Sequence, residues 1–376
     1  MAADSNGDCN AIVPTLAYAQ VSELCSAILV AEDELNIGKL FMQRVLLGFS
    51  GGMDSATAVG YLRHMGYEVV ALTIDTLLSP EAIAKASRIA EELGVEWYLY
   101  EGRERFRCTI VDYFCREYAK GRTPAPCTRC NTHIKWQILS EVADEMGIEH
   151  IATGHYFNIA KRNDRYYVAK GIDPNKDQSY YLWGLSQEVL ARAITPMGNI
   201  IKSNVRERFS DKSESMGICF LEGKPYAEFL ELQGVDMTEG DIVLEDGTPC
   251  GRHNGIARYT IGQKRGYGLT DGRRVVDIDS EHNRLIVGDA KSLHKHKLYI
   301  SECNVVDINE LLTSNDITVK IRGIGRNPEL PVQITALDEG YLVTMQDAAY
   351  APAKGQPLVF YRDNLVIGGG IVVHIE

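Results

Sequence analysis

Two hydrophobic rhythms alternate between about residue 45 and residue 153, and their alternation predicts the architecture. An unbroken apolar run, Val45 to Phe49, reads as a buried strand. Ser50-Gly51-Gly52-Met53-Asp54-Ser55 follows it, and then Ala58, Val59, Leu62 and Met65 mark one face of a helix. Tyr67 to Ile74 is a second strand. Ser79-Pro80 supplies an N-cap and a first-turn proline for a helix with Ile83, Ala86, Ala90 and Leu93 on one side, ended by Gly94. Val95 to Tyr100 is a third strand, and residues 104–119 and 131–146 carry two more helical stripes, stopped by Gly121 and Gly147. Ile148 to Thr153 is a further strand, leading into Gly154-His155. Strands alternating with helices imply a parallel sheet with helices on both faces, a Rossmann-like α/β domain. In such sheets ligands sit at the carboxyl ends of the strands, where Gly51, Gly52 and Gly154 fall.

Past about residue 215 the rhythm shortens. Asp241 to Leu244, Val275 to Ile278 and Arg284 to Val287 are short β-like runs broken by Gly, Asp and Asn, a small mostly-β central domain. From about residue 297 the pattern is all strand: Val319 to Ile321, Val332 to Ala336, Tyr341 to Met345, Pro357 to Tyr361 and Ile371 to Ile375, with almost no helical signal. That spacing suggests a C-terminal β-barrel. The expected division is an N-terminal extension of unknown structure over 1–41, an α/β nucleotide-binding domain over 42–215, a central domain over 216–296 and a barrel over 297–376.

Composition narrows the class without naming it. At 376 residues the chain is long for a single core. No run of about 18 apolar residues occurs, so no membrane span is expected. Residues 1–40 carry one cation, Lys39, and no basic leader, so neither a secretory signal nor a transit peptide is expected. Nine cysteines without a signal peptide imply a reducing, cytoplasmic setting, where Cys serves catalysis or metal binding more often than disulfides. A net charge of −12 argues against indiscriminate nucleic-acid binding while leaving room for a local basic face.

The first chemical signal is the glycine turn. Two glycines allow a tight turn and close approach of backbone to ligand, and the helix start offers free N–H groups and a positive dipole end to a phosphate. Ser50 and Ser55 add hydroxyls, and Asp54 suits a magnesium ion carried by a nucleotide. No lysine stands where a Walker A loop requires one. The string resembles the pyrophosphatase loop of ATP-dependent enzymes that adenylate their substrates.

The second signal is sulfur. Thr123-Pro124-Ala125-Pro126-Cys127-Thr128-Arg129-Cys130-Asn131 lies between two predicted helices, and Cys130 falls near the start of the second. A thiol there sees the helix dipole and neighbouring arginines, so a lowered pKa is expected. Cys219 follows at the first domain boundary, in Ser215-Met216-Gly217-Ile218-Cys219-Phe220. Cys108 and Cys115 read as packed small hydrophobes within a helix. For Cys127 and Cys130 three readings stay open: a structural zinc site lacking its second ligand pair, a thioredoxin-like redox pair, and a partnership of Cys130 with Cys219 in which one carries sulfur as a persulfide.

Taken together, Gly48 to Ser55, Gly121-Arg122-Thr123-Pro124, Cys130-Asn131, Ile151 to Tyr156, Asn175 to Tyr180, Gly217 to Phe220, Thr260 to Gln263 and Gly368 to Ile371 resemble the tRNA-specific 2-thiouridylase (MnmA/TrmU) family. The resemblance, from about residue 43 to the end, implies an adenine nucleotide alpha hydrolase-like fold. It implies that Gly48, Phe49, Ser50, Gly51, Gly52, Met53, Asp54 and Ser55, with Ile74 and Gly154, bind ATP with Mg2+. Cys130 would be the nucleophile and Cys219 the persulfide carrier. Ala125, Pro126, Cys127, Lys176, Asp177, Gln178, Arg322 and Gly323 would meet the tRNA. The implied reaction is adenylation of the wobble uridine (U34) C2 oxygen, then attack by the persulfide sulfur with release of AMP, the base leaving its stack to react. The implied partners are tRNAs for Glu, Gln and Lys and a persulfide donor such as a cysteine desulfurase or sulfur-relay protein. The chain departs from the common pattern at Ala125, where Asn is usual, at Arg322-Gly323 in place of Arg-Tyr, in shorter segments after Ile74 and before Ser210, and at Cys127, which replaces Asp. Cys127, Cys130 and Cys219 would also suffice for an iron–sulfur cluster with an open iron. Cations near the loop (Lys120, Arg122, Arg129 and Lys135) form a candidate tRNA patch. The competing functions are an amidotransferase-like ATP pyrophosphatase acting on a small molecule and a non-enzymatic RNA-binding module with a zinc site.

Overall fold

The computed structural model describes residues 42–203, 217–266, 268, 272–322 and 327–376. The extension over 1–41 and the candidate tRNA contact Gly323 lie outside the described residues. Seven strands precede the first gap: β1 (Gln43–Gly48), β2 (Tyr67–Ile74), β3 (Glu96–Tyr100), β4 (His150–Thr153), β5 (Phe157–Arg162), β6 (Arg165–Lys170) and β7 (Ala193–Ile194). Five of them form a sheet in the order β3-β2-β1-β4-β7, every pair parallel. Alternation along β1 explains why both faces are covered. Leu46 points into a core shared with Phe106, Ile134 and Leu139, while Val45 and Leu47 point into another with Ala58, Val59 and Ile89. Helix α1 (Met53–His64) and helix α2 (Pro80–Glu92) pack on the second face. Ser79 caps α2 through a hydrogen bond from the Ala82 amide at 3.2 Å, and Pro80 opens it, as the sequence predicts.

The other two predicted helices are both interrupted. The first runs as Arg103–Phe106, a π-turn at Arg107–Val111, and Asp112–Ala119. The second begins earlier than its stripe suggests, as Pro126–Cys130, then a π-turn at Asn131–Lys135, then Trp136–Glu145. Apolar periodicity is blind to one inserted residue, so neither π-turn was visible in the pattern. Cys108 is also exposed, its thiol donating to Glu104 at 3.2 Å, and not packed in the helix as its neighbours suggested; Cys115 is half-buried.

Beyond the sheet, β8 (Gly240–Leu244), β9 (Pro249–His253), β10 (Arg274–Asp279) and β11 (Arg284–Gly288) form a small sheet around Ile242, Val275, Leu285 and Val287. The C-terminal part comprises β12 (His294–Val305), β13 (Thr318–Ile321), β14 (Gln333–Ala336), β15 (Tyr341–Tyr350), β16 (Pro357–Arg362) and β17 (Leu365–Ile375), in the order β13-β16-β17-β12-β15-β14. It also holds a helix, Ile308–Thr313, capped by the Asp307 side chain, which the strand pattern did not reveal. Nor did it reveal the hairpin β5–β6, which leaves the α/β domain and pairs Ala169 with Leu365 of β17. Arg162 of that hairpin bonds to Glu310, which Arg362 and Tyr167 also engage.

The segment carrying Cys219 is anchored by aromatic packing. Phe220 meets Phe114 at 5.2 Å, Phe106 at 5.9 Å and Phe229 at 5.2 Å, between ring centroids. Phe114 is fully buried at the centre of this group. Phe114→Ala removes a ring from a packed core, so a loss of about 3–5 kcal/mol is expected. Denaturant unfolding followed by circular dichroism measures it, and a loss under about 1 kcal/mol would show that the cluster does not hold this segment.

Candidate active site

The glycine turn leaves the carboxyl end of β1 and enters α1, as a phosphate-binding loop requires. Gly51 has φ +66°, and a Cβ there would stand 2.7 Å from Ala86 Cα. Gly52 is the N-cap of α1 and makes no side-chain capping bond. The loop's own amide partners are distant hydroxyls: Ser50 N to Ser55 Oγ and Gly52 N to Ser50 Oγ, both 3.3 Å. Long bonds of this kind are readily exchanged for phosphate oxygens, so the residues fit a nucleotide's phosphates. Phe49 is tied down by Thr73, whose hydroxyl donates to the Phe49 carbonyl at 2.7 Å. Ile74 ends the neighbouring strand β2.

Gly154 closes the loop from the far side, because a Cβ on it would meet Ser55 N at 3.0 Å. Asp54 is committed inside the protein. Its carboxylate accepts from the Tyr156 hydroxyl at 2.8 Å and from Lys202 Nζ at 2.8 Å. The sequence reading missed Tyr156 and Lys202 in this role. Lys202 lies in no recognisable motif, and only the fold brings it across 148 residues to Asp54.

The cysteine helix crosses the same end of the sheet. Gly48 lets Leu139 approach, since a Cβ there would be 3.1 Å from Leu139 Cδ1. Ala125 is the N-cap and Pro126 the first residue, so Cys127, not Cys130, lies in the first turn. Cys130 falls at the end of this five-residue segment and is 6% exposed. The expected lowered pKa is therefore corrected: burial pushes the Cys130 thiol up to about 11, with Lys135 as the opposing influence. Cys127 reaches the surface, yet desolvation by the protein around its thiol raises it as well, again opposed by Lys135. Cys219 is exposed in a one-turn helix, Cys219–Leu221, and interacts electrostatically with Cys127, Cys130 and Lys135. Cys130 and Cys219, roughly 90 residues apart in the chain, thus converge. Among the described residues no three Cys, His, Asp or Glu side chains form a group able to hold a metal ion, so the geometry does not support the iron–sulfur and zinc readings.

Three domain models match consecutive parts of the chain: the tRNA methyl transferase HUP domain over residues 43–223, the tRNA methyl transferase PRC-barrel domain over 227–289, and an aminomethyltransferase beta-barrel domain over 295–372. The tRNA-specific 2-thiouridylase MnmA 2 of Phocaeicola vulgatus is 39% identical over 345 residues, 88% of this chain and 98% of that protein. The chain belongs to the tRNA-specific 2-thiouridylase family. MnmA 1 of Clostridium botulinum, also a tRNA-specific 2-thiouridylase, is 36% identical over 354 residues, 88% of this chain and 99% of that protein. A solved structure titled as a predicted subunit of tRNA methyltransferase, from Methanocaldococcus jannaschii, overlaps 51% of this chain and 88% of its own at 17% identity, with a TM-score of only 0.34.

Within this family framework the other expected site residues have definite places. The Gln178 side-chain oxygen accepts from the Tyr156 backbone N–H, and the Gln178 backbone N–H donates to the Tyr156 carbonyl, both at 2.9 Å. Asp177 accepts from Gly171 N, Ser179 N and Ser179 Oγ at 2.8–3.2 Å. Both thus brace the loop beside Tyr156, while Lys176 is half-buried. Arg322, at φ +71°, donates to the Ala351 carbonyl at 2.9 Å and lies near Tyr180 and Tyr118. The cation patch is largely occupied. Arg122 pairs with Glu117 at 3.5 Å, Arg129 with Glu302 at 3.7 Å and lies over Tyr113, and Lys135 faces the cysteines. Lys120 remains exposed.

Gly121-Arg122-Thr123-Pro124 is a junction. A Cβ on Gly121 would stand 2.6 Å from Ile278 Cγ2. Thr123 bonds through its hydroxyl to Thr260 at 2.8 Å, its amide donates to Lys354 O at 2.8 Å, and its carbonyl accepts from Gln356 Nε2 at 2.7 Å. One stretch of four residues therefore ties the cysteine helix to both β domains.

Two outcomes follow from this geometry. Gly51→Ala should lower ATP affinity by about tenfold or more in calorimetric titration, because a left-handed φ and the Ala86 backbone both oppose a side chain; unchanged affinity would show that the turn does not hold the nucleotide. His155, whose Nδ1 lies 2.8 Å from Thr153 Oγ1, is pushed down to about 3 by burial and then by Lys135. The unfolded histidine binds a proton the folded one refuses, so stability falls as pH drops from about 6.5 towards 3. His155→Gln should reduce the loss of Tm between pH 7 and pH 5; an equal loss in both proteins would remove His155 as its source.

Proposed function

We propose that the protein thiolates C2 of the wobble uridine of tRNA at the expense of ATP. The observation that carries this reading is that Cys130 and Cys219 come together around Lys135, which also faces His155 next to Gly154 of the nucleotide loop, in a chain whose relatives are tRNA 2-thiouridylases. A carbonyl oxygen is a poor leaving group, so adenylation of the C2 oxygen, with pyrophosphate released, prepares the carbon for sulfur. The glycine turn and the start of α1 would hold the phosphates, with magnesium carried by the nucleotide. Asp54, balanced by Lys202, fixes the loop more than it serves as a bare metal ligand. The Cys219 persulfide would deliver the sulfur, AMP would depart, and Cys130 would release that sulfur or resolve the disulfide.

The uridine would leave its stack to meet the cysteine loop. Ala125, Pro126 and Cys127 belong to that loop, and Lys176 and Arg322 are the cations we assign to the RNA. We assign residues 42–215 to catalysis and 216–296 and 297–376 to holding the tRNA, with the junction at Thr123 setting their spacing. The acceptors are tRNAs for Glu, Gln and Lys, and the donor is a cysteine desulfurase or sulfur-relay protein in a reducing cytoplasm. Among the described residues no helix is long and apolar enough to cross a membrane.

Unmodified tRNA incubated with ATP, magnesium, cysteine and a desulfurase tests the assignment. Wild type should form 2-thiouridine, Cys219→Ser and Cys130→Ser should form none, and Cys127→Ser should retain a reduced rate. Absence of 2-thiouridine with wild type would return the protein to a small-molecule ATP pyrophosphatase, for which Cys219 has no use.

A further inference from the structure

The candidate mechanism leaves one charged group unexplained. Lys135 is half-buried, and the ionisable groups it meets are three thiols and no carboxylate: Cys130, Cys127 and Cys219. An ammonium set among thiols favours their thiolate forms, so its charge bears on whichever sulfur becomes negative.

Local backbone geometry puts Lys135 where it can act. In an α-helix, residues five apart point well away from each other. The π-turn over Asn131–Lys135, closed by the Trp136 amide on the Asn131 carbonyl, inserts a residue and widens the turn, which turns Lys135 back toward Cys130, the thiol it acts on most. Behind them Trp136 packs against Phe157 and against His155, at 5.8 and 6.4 Å between ring centroids, which fixes the turn against the sheet. The groups facing Lys135 from other elements are Cys219 and His155, while Tyr181 faces Cys127. His155 stays neutral down to about pH 3 and does not compete for negative charge.

We propose that Lys135 is a positioning residue for the sulfur chemistry, its ammonium holding the negative charge of the Cys130 thiolate and of the sulfur released from Cys219. This rests on the persulfide reading above. In the step it serves, the Cys130 thiolate attacks Sγ of the Cys219 persulfide. A Cys130–Cys219 disulfide forms, the bond to the terminal sulfur breaks, and that sulfur leaves as hydrosulfide with the electron pair. Two thiol sulfurs are oxidised as one sulfane sulfur is reduced, and an external dithiol reductant later restores the pair. Negative charge sits on Cys130 before the step and on the departing sulfur after it, within reach of one fixed cation. Burial raises the Cys130 thiol, and Lys135 is the group that opposes it.

The test reads thiolate content directly and needs no tRNA. The full chain is alkylated with iodoacetamide across pH 6.5–10, and each cysteine is quantified by peptide mass spectrometry, with exposed Cys108 as internal reference. Loss of one neighbouring cation moves a thiol's midpoint by about one pH unit or more. Lys135→Met should therefore slow Cys130 alkylation at pH 8.5 by about tenfold, Lys135→Arg should stay within about threefold of wild type, and Cys108 should not change. Superimposable Cys130 profiles for wild type and Lys135→Met would overturn the proposal, as would an equal slowing in Lys135→Arg. Should Lys135→Met fail to fold, judged by its thermal transition, Lys135→Gln and Lys135→Arg carry the same comparison. The alkylation shift without any 2-thiouridine in the tRNA assay would sink the functional reading alone. Normal thiolation with unshifted profiles would sink this inference alone.

Discussion

The site depends on how closely backbone can approach backbone at the carboxyl ends of β1 and β4. Gly48 admits Leu139 of the cysteine helix, Gly154 admits the first turn of α1, and Gly51 admits α2. Each contact occupies the space a Cβ would take. The glycine turn and the helix that carries the cysteines, the two parts of the proposed site, are thereby held against one end of the sheet. Parallel strands make this arrangement available because their connections leave from the same end. Widening any of these contacts would separate the loop from the thiols before altering either one.

From that edge the organisation spreads through a few polar joints. Asp54 is locked by Tyr156 and Lys202, and the Tyr156 backbone is in turn bracketed by the side-chain oxygen and the backbone N–H of Gln178. The loop of Asp177 and Gln178 therefore senses the nucleotide turn through two residues. On the other side, Thr123 joins the cysteine helix to the central and C-terminal sheets at once. The hairpin β5–β6 adds a second tie to the C-terminal domain through Arg162 and Glu310. A tRNA held by the β domains would consequently be held in register with the thiols.

The sulfur site shows a balance between protection and reactivity. Burial shields Cys130 but disfavours its thiolate, and the same burial makes the nearby ammonium worth more than it would be in water. Cys219, by contrast, is exposed on a single helical turn pinned by Phe220. In the proposed reaction exposed Cys219 would meet the donor protein, while buried Cys130 would wait for the sulfur to arrive. That division of labour suits a relay.

The fold class and the glycine turn at the end of β1 were legible in the chain, and so was the choice of Cys130 and Cys219 as candidates, because period-2 and period-3.6 patterns and short motifs depend on neighbours in sequence. Glycines with left-handed or crowded positions, such as Gly51 and Gly154, are marked by residue type alone. What the chain could not disclose has a common cause: each case is a contact across a long separation or a shift of one residue. Lys202 meets Asp54 only once the sheet is assembled. The hairpin β5–β6 joins a distant sheet, and the π-turn behind Cys130 inserts a single residue into an otherwise regular helical stripe. Local reasoning put a helix dipole behind Cys130 and expected an easily ionised thiol. Tertiary burial reversed the sign, since desolvation belongs to everything packed around a group and not to the helix that carries it.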